Sequence, residues 1–279
     1  MSRTIKTDGM LNMNRPAAVG DLLRAWRQRR RLSQLELACD ADVSARHLSF
    51  LETGRSRPSR EMLLHLSELL DIPPRERNAL FMAAGFAPLY TETAMTSPAA
   101  EEARRAVEFM LTSHEPSPAL AVDRHWTLVA ANRAIGLFLA DVAPELLEPP
   151  VNVLRLSLDP RGLAPRIVNF GQWRGHVLHR LQRQVAESGD ATLAALQREL
   201  AALPHSGGRS TARLDEPYGD IVLPFRIRSE EGVLSFLTTT TVFGTAVDLT
   251  FSELAIETFF PADPFTAAAL RRKLPQTAG

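Results

Sequence analysis

The chain has 279 residues, 45% hydrophobic and 23% charged, enough to bury a sizeable core and better matched to two domains than to one. Its net charge is zero, yet between Arg15 and Arg60 ten Arg stand against five Asp and Glu, so one segment rather than the whole chain is suited to a polyanion. A single cysteine, Cys39, excludes an internal disulfide framework and agrees with a reducing, cytosolic compartment. No stretch approaches the roughly 18 apolar residues of a membrane span. The opening MSRTIKTDGMLNMNRP lacks the apolar run of a signal peptide, so a soluble intracellular protein is expected.

Residues 1–17 show no periodicity and read as a flexible arm. From Val19 a helical pattern puts Leu22, Leu23 and Trp26 on one face and Arg24, Arg27, Arg29, Arg30 and Arg31 on the rest. Those arginines are either a solvated face or phosphate contacts. Ser33 with Glu36 three residues on forms a capping box for a second helix, whose expected inner face is Leu35, Ala38 and Cys39, the last as small core filler. After the Asp40–Val43 turn, Ser44 can cap a third helix that Leu48 and Leu51 pin to the core. Ala45, Arg46, His47, Ser49 and Phe50 are left to point mostly outward, with Gly54 as the C-cap and Arg55, Arg57 and Pro58 as a cationic exit. A fourth helix opens at Ser59 with Leu63, Leu66 and Leu70 inside. Pro73-Pro74 stops it, and a fifth runs from Arg75 to Ala84 before Gly85. Five short helices over residues 18–87, the second and third joined by a short turn, outline an all-α helix-turn-helix domain.

The stretch SQLELACDADVSARHLSFLETGRSRPS resembles the XRE family, the phage-repressor (lambda-repressor-like) type of helix-turn-helix. The shared features are Ser33-Gln34, Val43-Ser44, Leu48-Ser49 and the Glu52-x-Gly54-x-x-x-Pro58 exit. The resemblance implies that Gln34 anchors at the DNA backbone or a nearby base. It also implies that Ala45, Arg46, His47, Ser49 and Phe50 read base edges, next to the helix cap Ser44 and the phosphate-facing Arg55 and Arg57. Arg can bond guanine bidentately, Ser can bond several bases, and Phe can pack on a thymine methyl. Phe50 occupies a position often polar in that family, so it is either core or a base-step contact. His47 is expected to touch the groove rather than to sense pH.

Residues 88–105 read as a linker, with Pro98 opening a helix through Leu111. In the segment 106–273, Ala119–Val122 and Trp126–Ala130 read as a hairpin across Asp123-Arg124-His125. Asn132 ends it, and a helix follows through Leu139. NVLRLSLDP precedes a long helix from about Pro165 to Glu187, and Asp190 caps another to Leu203. Strands follow at 221–227, 233–242 and 253–260, with turns at Glu231-Gly232 and Gly244, then a closing helix Thr266–Arg272 and a tail, 274–279.

This order, with NVLRLSLDP, Asn169-x-x-x-Trp173 and Phe260-Pro261-Ala262-Asp263, resembles the MmyB-like ligand-binding domain, a PAS-like α+β fold with an antiparallel sheet found C-terminal to XRE modules. The expected architecture is therefore multidomain. The resemblance implies a fatty-acid-like or otherwise lipophilic ligand in an apolar pocket. Candidate wall residues are Trp126, Leu128, Phe138, Phe170, Trp173, Val177, Leu178, Phe236 and Phe243, though most such residues are ordinary core, the more ready reading of any single one. Arg174, His176 or Arg180 can meet a carboxylate. His176 and His179 have metal-site spacing but lack further partners, so no metal is expected. Thr238–Thr241 reads as a strand with alternating hydroxyls outward.

There is no G-x-S-x-G elbow, H-E-x-x-H helix or P-loop, and Gly207-Gly208 reads as a flexible loop. The expectation is thus neither an enzyme nor a cofactor protein. It is a homodimeric, ligand-responsive regulator that binds double-stranded operator DNA and senses a small apolar molecule such as a fatty acid. The rivals are a constitutive repressor with a C-terminal dimerisation shell, and a lipid-binding or enzymatic module with no DNA role.

Overall fold

The computed structural model describes residues 18–204, 223–243 and 248–274. They fall into two units, Met1–Tyr90 and Thr91–Gly279. The expected arm, the Gly207-Gly208 loop, the first two residues of the strand at 221–227, the Gly244 turn and nearly all of the tail lie outside the described residues.

The first unit is all-α: α1 Val19–Arg29, α2 Gln34–Asp40, α3 Ala45–Glu52, α4 Arg60–Leu69 and α5 Pro74–Ala83. The expected caps hold. The Ser33 hydroxyl accepts from Glu36 N while Glu36 accepts from Ser33 N, completing the capping box. Ser44 accepts from His47 N, and Ser59 from Met62 N. Gly54 takes the left-handed conformation (φ 72°) that suits glycine after a helix. Pro74 sits at the first position of α5, where its missing N–H costs nothing.

Leu23, Leu37, Leu48, Leu51, Leu63, Leu66 and Leu70 share one buried core. Two expected members are not in it. Leu35 is 64% exposed and Cys39 is exposed, because α2 turns Leu37, Ala38 and Ala41 inward instead. A helix advances about 100° per residue, so the pair at 37 and 38 faces away from 35 and 39. Gly20 lets α1 approach α3 closely: a Cβ there would stand 2.5 Å from the carbonyl oxygens of Leu51 and Glu52. The stretch read as linker is partly structured. The Asn78 amide holds Leu89 N and Tyr90 N, and Pro98–Ala100 leads as a 3₁₀ turn into a helix.

The second unit is α+β. It contains α6 Glu101–Ser113, β1 Ala119–Val122, β2 Leu128–Ala131, α7 Val153–Leu158, α8 Phe170–Ser188, α9 Ala191–Ala202, β3 Phe225–Ser229, β4 Gly232–Val242, α10 Leu249–Ser252, β5 Ala255–Pro261 and α11 Pro264–Lys273. The five strands form one antiparallel sheet in the order β2-β1-β5-β4-β3. The first hairpin strand inserts next to the last strand, a pairing that local patterns do not reveal. On one face the sheet shares an apolar core with α7, α8 and α9, which includes Leu120, Phe138, Leu158, Leu181, Leu200, Phe225 and Phe236. On the other, Val107 and Leu111 of α6 meet Ala119, Ala121 and Ile256.

Asn132 joins these layers. Its side chain accepts from Ala119 N and donates to the carbonyls of Leu111 and Ser117. After it, Arg133–Phe138 is 3₁₀ rather than α-helical. The helix expected from Pro165 begins instead at Phe170, because Ile167 and Val168 are extended against β3, with Val168 N donating to Arg226 O at 2.8 Å. The buried Asn169 amide donates to Pro224 O and accepts from Arg226 N, which fixes the start of α8.

Candidate functional sites

In the first unit, α3 presents a polar face above its buried Leu48 and Leu51. Arg46 is exposed, and His47, Ser49 and Phe50 are half-buried. Ala45, expected outward, packs partly against the core beside Val43. Phe50 is neither core nor free. Its ring is a platform for two cations, with the Arg46 guanidinium 5.3 Å and the Arg55 guanidinium 5.8 Å from its centroid. The backbone N–H groups of Arg55 and Ser56 both donate to Phe50 O, folding the cationic exit back onto α3. Arg57 is exposed and Pro58 buried.

Several arginines of α1 and its C-terminal cap have internal duties. Arg27, expected on a solvated or phosphate-facing side, is buried and donates to both oxygens of Glu52 at 2.6 and 2.9 Å. Arg30 donates to the carbonyl of Leu70 at 2.7 Å, and Arg29 lies over Trp26. The Gln34 amide donates to Glu52 at 2.8 Å, which places the side chain expected at the DNA backbone beside the last turn of α3. Burial pushes the Glu52 carboxyl up, but the hydrogen bonds from Arg27 and Gln34 and the charges of Arg27 and Arg24 outweigh it and hold the group below its usual range.

In the second unit, sheet and helices enclose an apolar cavity of about 270 Å³. Trp126, Leu128, Phe138, Trp173, His176, Val177 and Arg180 of the expected set line it. The 173, 176, 177 and 180 positions share one side of α8, as helical spacing requires. The others do not reach it. Phe170 and Leu178 pack against the same core elsewhere. Phe236 is fully buried against Phe138 and Phe259, and Phe243 belongs to the cluster on the opposite face of the sheet. Arg174 donates to Ala201 O at 2.7 Å, tying α8 to the end of α9.

Sequence reading missed much of the wall: Leu120 from β1, Ile135, Leu154, Leu156 and Ser157 from α7, Phe225 from β3, and Glu257 and Phe259 from β5. The alternation in AIETFF was the available signal, since it puts a carboxylate on the same face as Phe259. Thr238–Thr241 lies in β4 with alternating hydroxyls, as expected, and the inward ones belong to the site. Thr239 bonds Thr258 at 2.6 Å on one face, whereas Thr238 lines the cavity and Thr240 donates to Glu257 on the other.

Trp126 is expected in a strand but has left-handed backbone (φ 66°), a conformation that a bulky residue keeps only where its surroundings over-determine it. They do so here. Its N–H donates to Asp123 O, its carbonyl accepts from Val153 N, and its indole N–H donates to Gln184 at 2.9 Å. Arg180 lies 4.4 Å above the ring and pairs with Glu257 at 2.9 Å. The Trp173 indole donates to the Ser157 hydroxyl at 2.8 Å and stacks beside His176. Partial desolvation, with the charge of Arg180, lowers the pKa of His176. Among the described residues, no group of His, Cys, Asp and Glu could hold a metal ion, and no helix is long and apolar enough to cross a membrane.

Residues 103–272 match the family model of the MmyB-like transcription regulator ligand binding domain. The chain belongs to the MmyB-like transcription regulators. Residues 18–80 of this regulator match a helix-turn-helix domain. It is therefore a DNA-binding transcription regulator with a C-terminal ligand-binding domain, an organisation of regulatory rather than enzyme domains. A solved structure, the clp gene regulator ClgR from Corynebacterium glutamicum, is 28% identical over 35% of this chain and 90% of that chain, with a TM-score of 0.21. No curated protein matches the chain.

Proposed function

We propose that this MmyB-like regulator is a cytoplasmic homodimer of the XRE type that binds a palindromic or repeated operator and responds to a small lipophilic molecule with a fatty-acid-like chain. The observation that carries the reading is the apolar cavity of about 270 Å³ in the domain that follows the helix-turn-helix. It is near the lower end of the range for small-molecule sites. A domain that served only as a dimerisation shell would need no such space.

On the DNA side, the exposed Arg46 and the half-buried His47, Ser49 and Phe50 support base reading. Gln34, Ser44, Arg55 and Arg57 support backbone contacts. One short helix reads few base pairs, so two copies on half-sites about 34 Å apart supply the remaining specificity. The ligand shifts DNA affinity through unequal affinity for the DNA-competent and DNA-incompetent arrangements of the dimer.

The test combines two measurements on the purified full chain. Native mass spectrometry is expected to show a dimer that carries a lipophile, and titration with DNA from upstream of its own gene is expected to show salt-sensitive binding that a lipophile changes. A protein that binds this DNA with the same affinity with and without every lipophile tried is a constitutive regulator. One that shows no salt-sensitive DNA binding is not a regulator of that DNA.

A further inference from the structure

The polar corner of the cavity is already balanced in charge. Arg180 donates to Glu257 Oε1 at 2.9 Å and Oε2 at 3.4 Å, and to Thr240 Oγ1 at 2.8 Å. Thr240 donates in turn to Glu257 Oε1 at 2.8 Å. The register of the sheet sets this up, because Thr240 stands directly opposite Glu257 across β4 and β5. Glu257 is buried, and Arg180 is further held by the Trp126 ring beneath it. Two polar groups of the lining stand apart from this knot. Neither the Thr238 hydroxyl nor the His176 ring hydrogen-bonds any described residue.

We propose that the cavity selects an uncharged lipophile, an alkyl or acyl chain ending in a hydroxyl, ester, lactone or amide, over the corresponding carboxylate anion. This rests on the reading of the cavity as a lipophile site and sharpens it to a class of head group. A carboxylate entering this corner has two options, both unfavourable. If it takes Arg180 from Glu257, it strands a buried carboxylate without its cation. If it leaves the pair intact, it places a second negative charge beside the buried first.

An uncharged head meets neither cost. A hydroxyl or carbonyl needs one or two neutral hydrogen-bonding partners, and Thr238 can donate or accept. His176 can do the same, because partial desolvation and the neighbouring Arg180 lower its pKa and keep it neutral near pH 7. The tail then lies along Leu120, Leu128, Phe138, Leu156 and Val177, where burial of apolar area supplies the affinity.

The experiment uses the full chain, stripped of lipid on a hydrophobic resin, with three probes of one chain length: decanol, methyl decanoate and decanoate. Binding at neutral pH is read by calorimetry and by the fluorescence of Trp126 and Trp173, which line the cavity. Decanol and methyl decanoate are expected to bind at least about tenfold tighter than decanoate. Glu257→Gln removes the competing charge and is expected to raise decanoate affinity by about tenfold. Should that variant not fold, Thr238→Val serves instead, with decanol affinity expected to fall while decanoate stays as weak as before. Decanoate binding as tightly as decanol to the unaltered chain overturns the head-group proposal and leaves the lipophile reading standing. Failure of all three to bind overturns the lipophile reading, and the proposal with it.

Discussion

The Arg27 guanidinium and the Glu52 carboxylate meet through two hydrogen bonds, 2.6 and 2.9 Å, between α1 and the last residue of α3. Gln34 adds a third bond from the first residue of α2, and Arg24 approaches Glu52 to 3.5 Å. One buried carboxylate thus holds the three helices whose relative orientation decides what α3 presents. Glu52→Ala leaves Arg27 buried without its partner, and we expect a loss of about 3–5 kcal/mol in the stability of the first unit by chemical denaturation. The pH dependence follows from the lowered carboxyl pKa. A depressed folded-state pKa contributes stability that is fully present above the ordinary value of 4.5 and lost as pH falls through the lower folded value. Unfolding followed by circular dichroism should therefore steepen below that pH in the native chain and flatten in Glu52→Gln. An unchanged acid limb in Glu52→Gln would show that other carboxylates govern it.

Arg46 and Arg55 share the Phe50 ring but leave it toward different parts of a duplex in the reading proposed above. Arg46→Ala is expected to weaken the specific site by about 1–3 kcal/mol and relax one base preference. Arg55→Ala should weaken specific and random DNA alike and reduce the salt slope by about 0.9. Phe50→Ala removes the platform and should lower specificity with the salt slope unchanged. Equal losses on specific and random DNA for Arg46→Ala would remove it from the base-reading set.

Asn132 satisfies one backbone N–H and two carbonyls where β1, β2 and α6 converge. Asn132→Leu keeps the bulk and abandons those groups in a buried site. Each unsatisfied buried group costs about 1–3 kcal/mol, so the second unit should lose at least that much in urea denaturation. A change below about 0.5 kcal/mol would mean that water replaces the amide.

What was legible in the sequence were features whose cause is local. Ser33, Ser44, Ser59 and Asp190 cap helices because a side-chain oxygen reaches an N–H two or three residues on. Trp173, Val177 and Arg180 reach one cavity because three- and four-residue steps repeat on a helix. What stayed hidden depends on distant partners. Arg27 resembles any surface arginine until Glu52, 25 residues on, is placed opposite it. Glu257 acquires meaning only once β5 pairs with β4 and brings it against Thr240. Phe236 resembles the wall residues in type, and only the rings of Phe138, Phe225 and Phe259 packed around it make it core rather than wall.

Val177 offers a way to separate ligand response from DNA binding. It is 5% exposed, belongs to the middle of α8 and faces the cavity. Enlarging a side chain in a filled core costs about 1–3 kcal/mol, but here the added ring has a cavity of about 270 Å³ to enter. Val177→Phe should therefore keep a thermal midpoint close to that of the unaltered chain, while occupying the space a lipophilic tail needs. DNA binding is expected to persist, with its affinity fixed at the value of either the empty or the lipophile-filled chain, because the ring fills the cavity and leaves the helix-turn-helix unit intact. The shift in midpoint produced by decanol, and any effect of decanol on DNA affinity, should both disappear. If decanol still altered DNA binding by Val177→Phe, the response would arise from a different surface, and the cavity would no longer be the sensor.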